Sequence, residues 1–349
     1  MKKRFFALFL LFSLFIAGCQ TGQEANADFN TFCMETFRSY AASDSLTLNY
    51  TLMSPKKYGI TDLPDGFSSF SLHDLKQTQT STENTLARLH NFASKNLSRE
   101  DRLLYDTLDT SLTLSQEDTR MLAHSYSFDP SSGIQAQLPV LLCEFILTDK
   151  QDYDQYFSLL KSIPAYFNSL ISLEKAKQKK GTLPSATTIC HTIRQCQEFI
   201  DSSGTDAIEK SFEKSINSAS FFSASEKKER LKKHRKLLSH SLFPAYKNLI
   251  AELNKLLPFA PNDGALAACT GGRAYYEYLV KEKMDYTIDL LITMVTEEIS
   301  EETGKDRKEI LTDFLCSRTG KALYDEKTKL WCNGPAYITE LYKEELEKS

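Results

Sequence analysis

From Phe29 onward the apolar residues recur at intervals of three and four, and no stretch alternates apolar with polar residues for more than a few positions. A repeat near 3.6 belongs to a helix with one buried face, whereas a half-buried strand needs a repeat of two. The chain therefore reads as mainly α, a multi-helical array. With 41% hydrophobic and 25% charged residues it is expected to fold around a packed core. Phe29, Phe32, Cys33 and Phe37 form the first stripe, and Leu72, Leu75, Leu86, Leu89 and Phe92 predict a helix over about 71–94. Ser98 stands three residues before Asp101, a capping-box spacing, ahead of Leu104, Leu108 and Leu112. The longest stripe runs from Tyr153 to Leu173, is expected to bend near Pro164, and ends at Gly181 and Pro184.

Shorter helices are predicted over 188–200 and 207–216, and a polar one from Ser225 to about Leu257, kinked at Pro244. A tyrosine-rich helix follows Gly271-Gly272-Arg273, and two more are expected over 287–303 and 305–317. Two segments rich in Pro, Gly and Ser, 54–67 and 126–139, read as loops, the second ordered because Ile134 and Leu138 can still be buried. Residues 320–349 read as a polar, divergent tail that ends in an exposed helix.

The first residues carry a different signal. Lys2, Lys3 and Arg4 precede an apolar run from Phe5 to Ala17, interrupted only by Ser13. As a helix this run would be about 20 Å long, short of a ~30 Å hydrocarbon core, which fits a signal peptide over 1–18. Leu14-Phe15-Ile16-Ala17-Gly18-Cys19 resembles a lipobox, implying cleavage before Cys19 and lipid on its thiol. Residues 19–28 then form a polar tether. The expected location is the extracytoplasmic face of the cell membrane, with the membrane as a partner through that lipid. Loss of residues 1–18 removes three positive charges and no acids, taking the net charge from -4 to -7. The dense basic stretches 175–180 and 227–236 read as solvated helix faces, and nucleic acid is not an expected partner.

Without Cys19, seven cysteines remain, an odd number that cannot pair completely within one chain. Cys33 and Cys143 sit among apolar neighbours and are expected in the core. Cys190 and Cys196, six apart on a predicted helix, should face different ways and neither bridge nor share a metal. None of the six histidines lies in HExxH or has another histidine four residues away, and no Gly-x-Ser-x-Gly elbow occurs. No catalytic residue is assigned. Two segments could line a ligand site. Arg273, Tyr275 and Tyr276 either pack or present hydroxyls and a guanidinium to a carboxylate or peptide backbone, and Gly133 and Gln135 lie either in a second wall or in a plain interhelical connection.

Several stretches together resemble the bacterial DUF885 family: Tyr58-Gly59-Ile60, Arg102-Leu103-Leu104-Tyr105, Ser131 through Pro139, Tyr153 with Tyr156 through Phe167, Lys175 to Gly181, and Gly272-Arg273-Ala274-Tyr275-Tyr276. They fall in family order over about 29–285. The resemblance implies an exported helical domain over 29–319, similar to the amino-terminal part of a zinc-dependent peptidase. The family's metal signature, a His-Glu followed by Gly-His-His, has no counterpart here, so no zinc ligand or general base carries over. Zinc is expected only if a complementing chain supplies that half. The resemblance thus implies a cell-surface lipoprotein with the substrate side of such a peptidase, inactive alone. The alternative is a non-catalytic lipoprotein that binds a peptide or a partner.

Overall fold

Asp149 begins the longest uninterrupted apolar stripe of the chain. Its side chain accepts from the N–H groups of Gln151 and Asp152, while Asp152 reaches back to the N–H of Asp149. This capping box starts a helix over Lys150–Lys180, which ends at Gly181 in the left-handed conformation (φ 68°). Side chains at spacings of three and four along it, Tyr153, Tyr156, Phe157, Leu160, Ile163 and Phe167, are buried.

The computed structural model describes residues 27–94, 97–121, 124–202, 205–262, 271–325 and 327–348. In chain order the helices are α1 (Ala27–Ala41), α2 (Ser45–Thr51), α3 (Leu72–His90), α4 (Arg99–Met121), α5 (Ile134–Cys143) and α6 (Lys150–Lys180). They continue with α7 (Ala186–Asp201), α8 (Asp206–Ser218), α9 (Ala224–Leu237), α10 (Phe243–Leu256) and α11 (Gly272–Thr303). The last are α12 (Arg307–Cys316), α13 (Arg318–Leu323) and α14 (Pro335–Glu347). No strand occurs among the described residues. The expected multi-helical array is therefore what forms. The signal peptide, Cys19, the tether up to residue 26 and Cys269 lie outside the described residues.

The chain divides into two compact units. The larger comprises Met34–Ser81 and Asp118–Arg273. Its core centres on α6, with Ile134, Leu138 and Leu142 of α5, Ile189 and Cys196 of α7, Phe212 of α8, and Tyr246, Leu249 and Leu253 of α10. The other takes in the described residues of 1–33, 82–117 and 274–349. There Ile288, Ile292, Val295 and Ile299 pack with Phe314, Leu323, Ile338 and Tyr342. Phe29 sets its ring edge-on to Phe92 at 5.3 Å and stacks on Tyr105 at 6.4 Å.

The structure corrects the sequence reading in five places. Residues 134–139 are helical, not loop, so Pro139 lies inside α5. The N-cap of α9 is Ser223, which forms a capping box with Glu226, rather than Ser225. The predicted kink at Pro244 is a π-helical turn over Leu238–Leu242, in which the Phe243 N–H reaches back to Leu238. A wider turn lets the chain pass a residue that cannot donate to the carbonyl four positions earlier. The breaks expected before 287 are absent, since Gly272–Thr303 is one helix. The last helix is also more than an exposed tail: its Ile338, Thr339 and Tyr342 are buried.

Among the described cysteines, Cys33 and Cys196 are buried, Cys143 and Cys316 half-buried, and Cys190 and Cys332 exposed, all six as free thiols. Burial, with Asp101 nearby, pushes the Cys33 thiol up to about 12. Burial alone does the same to Cys196. Neither supplies a thiolate near neutral pH.

Candidate functional site

The two expected ligand walls meet different fates. Gly133 and Gln135 are interior residues of the larger unit. Asp129 folds the preceding turn, its Oδ1 accepting from the N–H groups of Ser131 and Ser132 at 2.8 Å each, and these bonds hold its carboxyl below the usual range against the opposing effect of burial. A Cβ on Gly133 would lie 2.3 Å from both the Asp129 nitrogen and Gln135 Oε1. Gln135 is 2% exposed, and its Nε2 donates to the Asp129 carbonyl (2.6 Å) and to Gln195 Oε1 (2.9 Å). Its amide thus orders the turn inside the protein and presents no face to solvent.

Arg273 belongs to the larger unit and Tyr275 and Tyr276 to the other, though all three sit on α11. Tyr275 is buried and stacks on Tyr278, with ring centroids 6.2 Å apart, which is the packing reading. Arg273 is exposed, and Tyr276 is 59% exposed.

A cleft that the sequence reading did not pick out lies within the larger unit. It has a volume of about 300 Å³ and runs between α2, the segment from Leu52 to Leu63, and the start of α6. Leu48, Leu52, Leu63 and Phe145 supply its apolar lining. Asp44 caps α2, its Oδ1 accepting from the N–H groups of Leu46 and Thr47 at 2.9 Å each. Burial nevertheless raises its carboxyl above the usual value, ahead of the lowering by those bonds. Ser45 accepts from the Gly66 N–H (2.9 Å) and turns its single proton toward Gln155 Oε1 (2.7 Å) and the Pro64 carbonyl (2.8 Å). Asn49 makes a paired bond with the backbone of Ile146, donating at 2.8 Å and accepting at 2.9 Å. These bonds fix three walls from distant parts of the chain.

The charges around the cleft are of both signs. Lys56 and Lys57 lie on a 3-10 turn, Pro55–Tyr58, which closes at Gly59 (φ 74°) and is held by Arg38 Nε donating to the Tyr58 carbonyl at 2.5 Å. Neither lysine has an ion-pair partner among the described residues. Across from them, Asp149 and Asp152 use one oxygen each in the capping box. Asp152 Oδ2 accepts from Thr148 Oγ1 (2.6 Å) and from the N–H groups of Thr148 (2.7 Å) and Asp149 (3.0 Å). Their other oxygens, Asp149 Oδ2 and Asp152 Oδ1, have no partner among the described residues. The cleft therefore offers two ammonium groups, two carboxylate oxygens and an apolar floor.

Among the described residues no three His, Cys, Asp or Glu side chains converge on a point where an ion could sit. His234 is buried against Phe212, with ring centroids 4.1 Å apart, and His90 pairs with Asp109 at 2.5 Å. These residues do not fit a zinc site.

The profile of the family described as "Bacterial protein of unknown function (DUF885)" matches residues 55–314. The chain belongs to the DUF885 family. The match begins at the cleft's Pro55 and reaches into α12, so it takes in both units. None of the curated proteins compared with this DUF885 chain matches it. A solved protein from Colwellia psychrerythraea, named as a candidate lipoprotein, superposes with a TM-score of 0.59 at 15% identity, over 85% of this chain and 55% of that one. At that identity the likeness is one of fold. The DUF885 chain spans about half the length of that relative. No helix among its described residues is long and apolar enough to cross a membrane.

Proposed function

We propose that this chain is a lipoprotein, held at the extracytoplasmic membrane face by lipid on Cys19, whose larger unit binds short peptides non-catalytically. The lipid anchor is supported by the basic, apolar and lipobox segments of residues 1–19 and by the name of the Colwellia relative. The binding role rests on one observation: the cleft sets unpaired Lys56 and Lys57 and unpaired oxygens of Asp149 and Asp152 around an apolar floor. A peptide has the matching groups, a carboxylate for the lysines, an ammonium for the aspartates, and side-chain carbon for the floor. The volume is at the low end for small-molecule sites, which favours two or three residues over a long segment.

The test is calorimetric titration with a panel of di- and tripeptides. Saturable binding is expected, weakened about five- to twentyfold by Lys56→Ala/Lys57→Ala, and weakened likewise when the peptide's carboxylate is amidated. Absence of saturation up to millimolar peptide would remove the binding role.

A second reading is favoured by the span of the match. The Colwellia relative is nearly twice as long as the part this chain covers, so the same scaffold could serve as the substrate side of a peptidase with a complementing chain. In that case a second polypeptide would co-purify with this one and confer zinc-dependent hydrolysis on the mixture.

A further inference from the structure

α9 concentrates positive charge in a chain whose net charge is -4. Its fourteen residues include seven lysines and arginines against two glutamates, a local net of +5. The structure sorts these charges into two groups. Arg230 pairs with Asp154 at 2.9 Å and lies over the Phe222 ring, and Arg235 pairs with Glu209 at 3.3 Å. Lys227 donates to the Asn217 carbonyl at 2.8 Å, and Glu226 is taken up by the Ser223 cap and by Lys150 at 3.0 Å. Those contacts bind α9 to its neighbours.

The second group is left over. Lys228, Lys232 and Lys236 are exposed, make no ion pair among the described residues, and stand at positions i, i+4 and i+8, which is one row about 12 Å long on a helix. Lys233 is exposed beside the row, its ammonium 4.4 Å from the Phe157 ring centroid. Glu229 also faces outward, so the exposed face remains positive by three charges. A solvated face that stabilised the helix alone would place acids four residues before lysines, as the i,i+4 rule favours. Here Lys233 follows Glu229 at that spacing, but Lys232 and Lys236, which belong to the row itself, each follow another lysine.

We propose that this lysine row docks the larger unit on the headgroups of anionic phospholipids. The choice of occupant rests on the lipid-anchor reading above. Seven residues, 20–26, separate Cys19 from the start of α1, and even fully extended they span no more than about 30 Å. That tether enters the other unit and keeps the chain close to the bilayer, where a row of lysines gains about 1 kcal/mol for each charge brought to an anionic surface. Acyl chains hold the protein at the membrane, and the row sets which of its faces turns toward the lipid.

The test uses the chain from Gln20 onward, which keeps both hydrophobic cores and carries neither the apolar leader nor a lipid. It is sedimented with vesicles of phosphatidylglycerol and phosphatidylcholine, or of phosphatidylcholine alone, at 0.15 M salt. Binding is expected to the anionic vesicles only. The Lys228→Gln/Lys232→Gln/Lys236→Gln variant should bind them on the order of 100-fold more weakly. A control that removes three exposed lysines of the other unit, Lys321→Gln/Lys327→Gln/Lys329→Gln, should bind as the parent does. The proposal is overturned if anionic vesicles are not bound, if the two triple variants lose binding equally, or if duplex DNA is bound as tightly as the vesicles. Failure of the anchor reading shows separately, as absence of labelled palmitate on Cys19 when the full chain is expressed in bacteria.

Discussion

The hydroxyl of Tyr246 donates to the main-chain carbonyl of Gln135 at 2.6 Å. That carbonyl is the one a residue at 139 would normally satisfy from within α5, and Pro139 has no N–H to give. A side chain 111 positions away thus supplies the hydrogen bond that the helix lacks. Tyr246→Phe removes the donor, leaves a buried carbonyl unpaired and should cost about 1–3 kcal/mol. In a Pro139→Ala background the restored N–H can reach Gln135, so the same substitution should cost markedly less. Urea denaturation of the four proteins of this double-mutant cycle measures the coupling, and equal costs in both backgrounds would refute the arrangement.

Gly133 and Gly181 make a contrasting pair. At Gly133 a Cβ would fall 2.3 Å from one backbone atom of Asp129 and 2.5 Å from another, so Gly133→Ala must displace the turn and should lose about 1–3 kcal/mol. At Gly181 nothing lies within 4 Å, and only the positive φ opposes a side chain. Gly181→Ala should therefore cost about 1 kcal/mol. Thermal midpoints rank the two, and a larger loss at Gly181 would contradict the geometry.

These cases also show what the sequence can and cannot convey. The stripe along α6, its capping acid and its closing glycine are local patterns, and periodicity finds them. The start of α5 was hidden because Pro139 argues against a helix, and the compensation comes from Tyr246 in α10. α11 reads as separate pieces because Lys281, Glu282, Lys283, Asp285 and Asp289 interrupt its apolar repeat. The cleft escaped notice because Lys56 and Lys57 are about ninety positions from Asp149, and a Lys-Lys pair on a turn looks like any solvated surface. A partial signal existed in Asp149-x-x-Asp152, whose capping role is legible but whose spare oxygens are not.

His234 gives the larger unit a dependence on acid. It is buried, stacked on Phe212, and its Nε2 lies 3.2 Å from the Tyr156 hydroxyl. Burial, and secondarily the neighbouring Arg235, lowers its pKa to about 4 from 6.5. The folded state therefore keeps His234 neutral where the unfolded state takes up a proton. The stability this residue permits is intact above about pH 6.5 and declines as the pH falls toward 4, by up to about 3 kcal/mol. Denaturation at a series of pH values should show that decline, and His234→Gln should flatten it between pH 6.5 and 4.5. An unchanged slope in the variant would assign the effect to other groups.

Glu174 and Lys177 on α6, whose side chains are 3% and 1% exposed, meet at 2.6 Å. Lys177 also donates to the Ser125 carbonyl, and the Ser127 N–H donates to Glu174 Oε1 at 3.2 Å, so the pair ties the segment before Gly133 to α6. Glu174 Oε2 is buried without a partner among the described residues, beside a small cavity lined by Phe128, Leu183, Ile189, Thr192 and Leu253. Desolvation of two charges offsets most of their attraction, so the intact pair adds little net stability, whereas removing one member strands the other. Lys177→Met alone should cost about 3–5 kcal/mol, because it leaves a buried carboxyl group without its partner. Glu174→Leu/Lys177→Met should recover most of that loss, since an apolar pair of similar size suits the surrounding side chains. Chemical denaturation distinguishes the outcomes, and a double variant as unstable as Lys177→Met would mean that the bonds to Ser125 and Ser127, not the charges, are what this part of the core depends on.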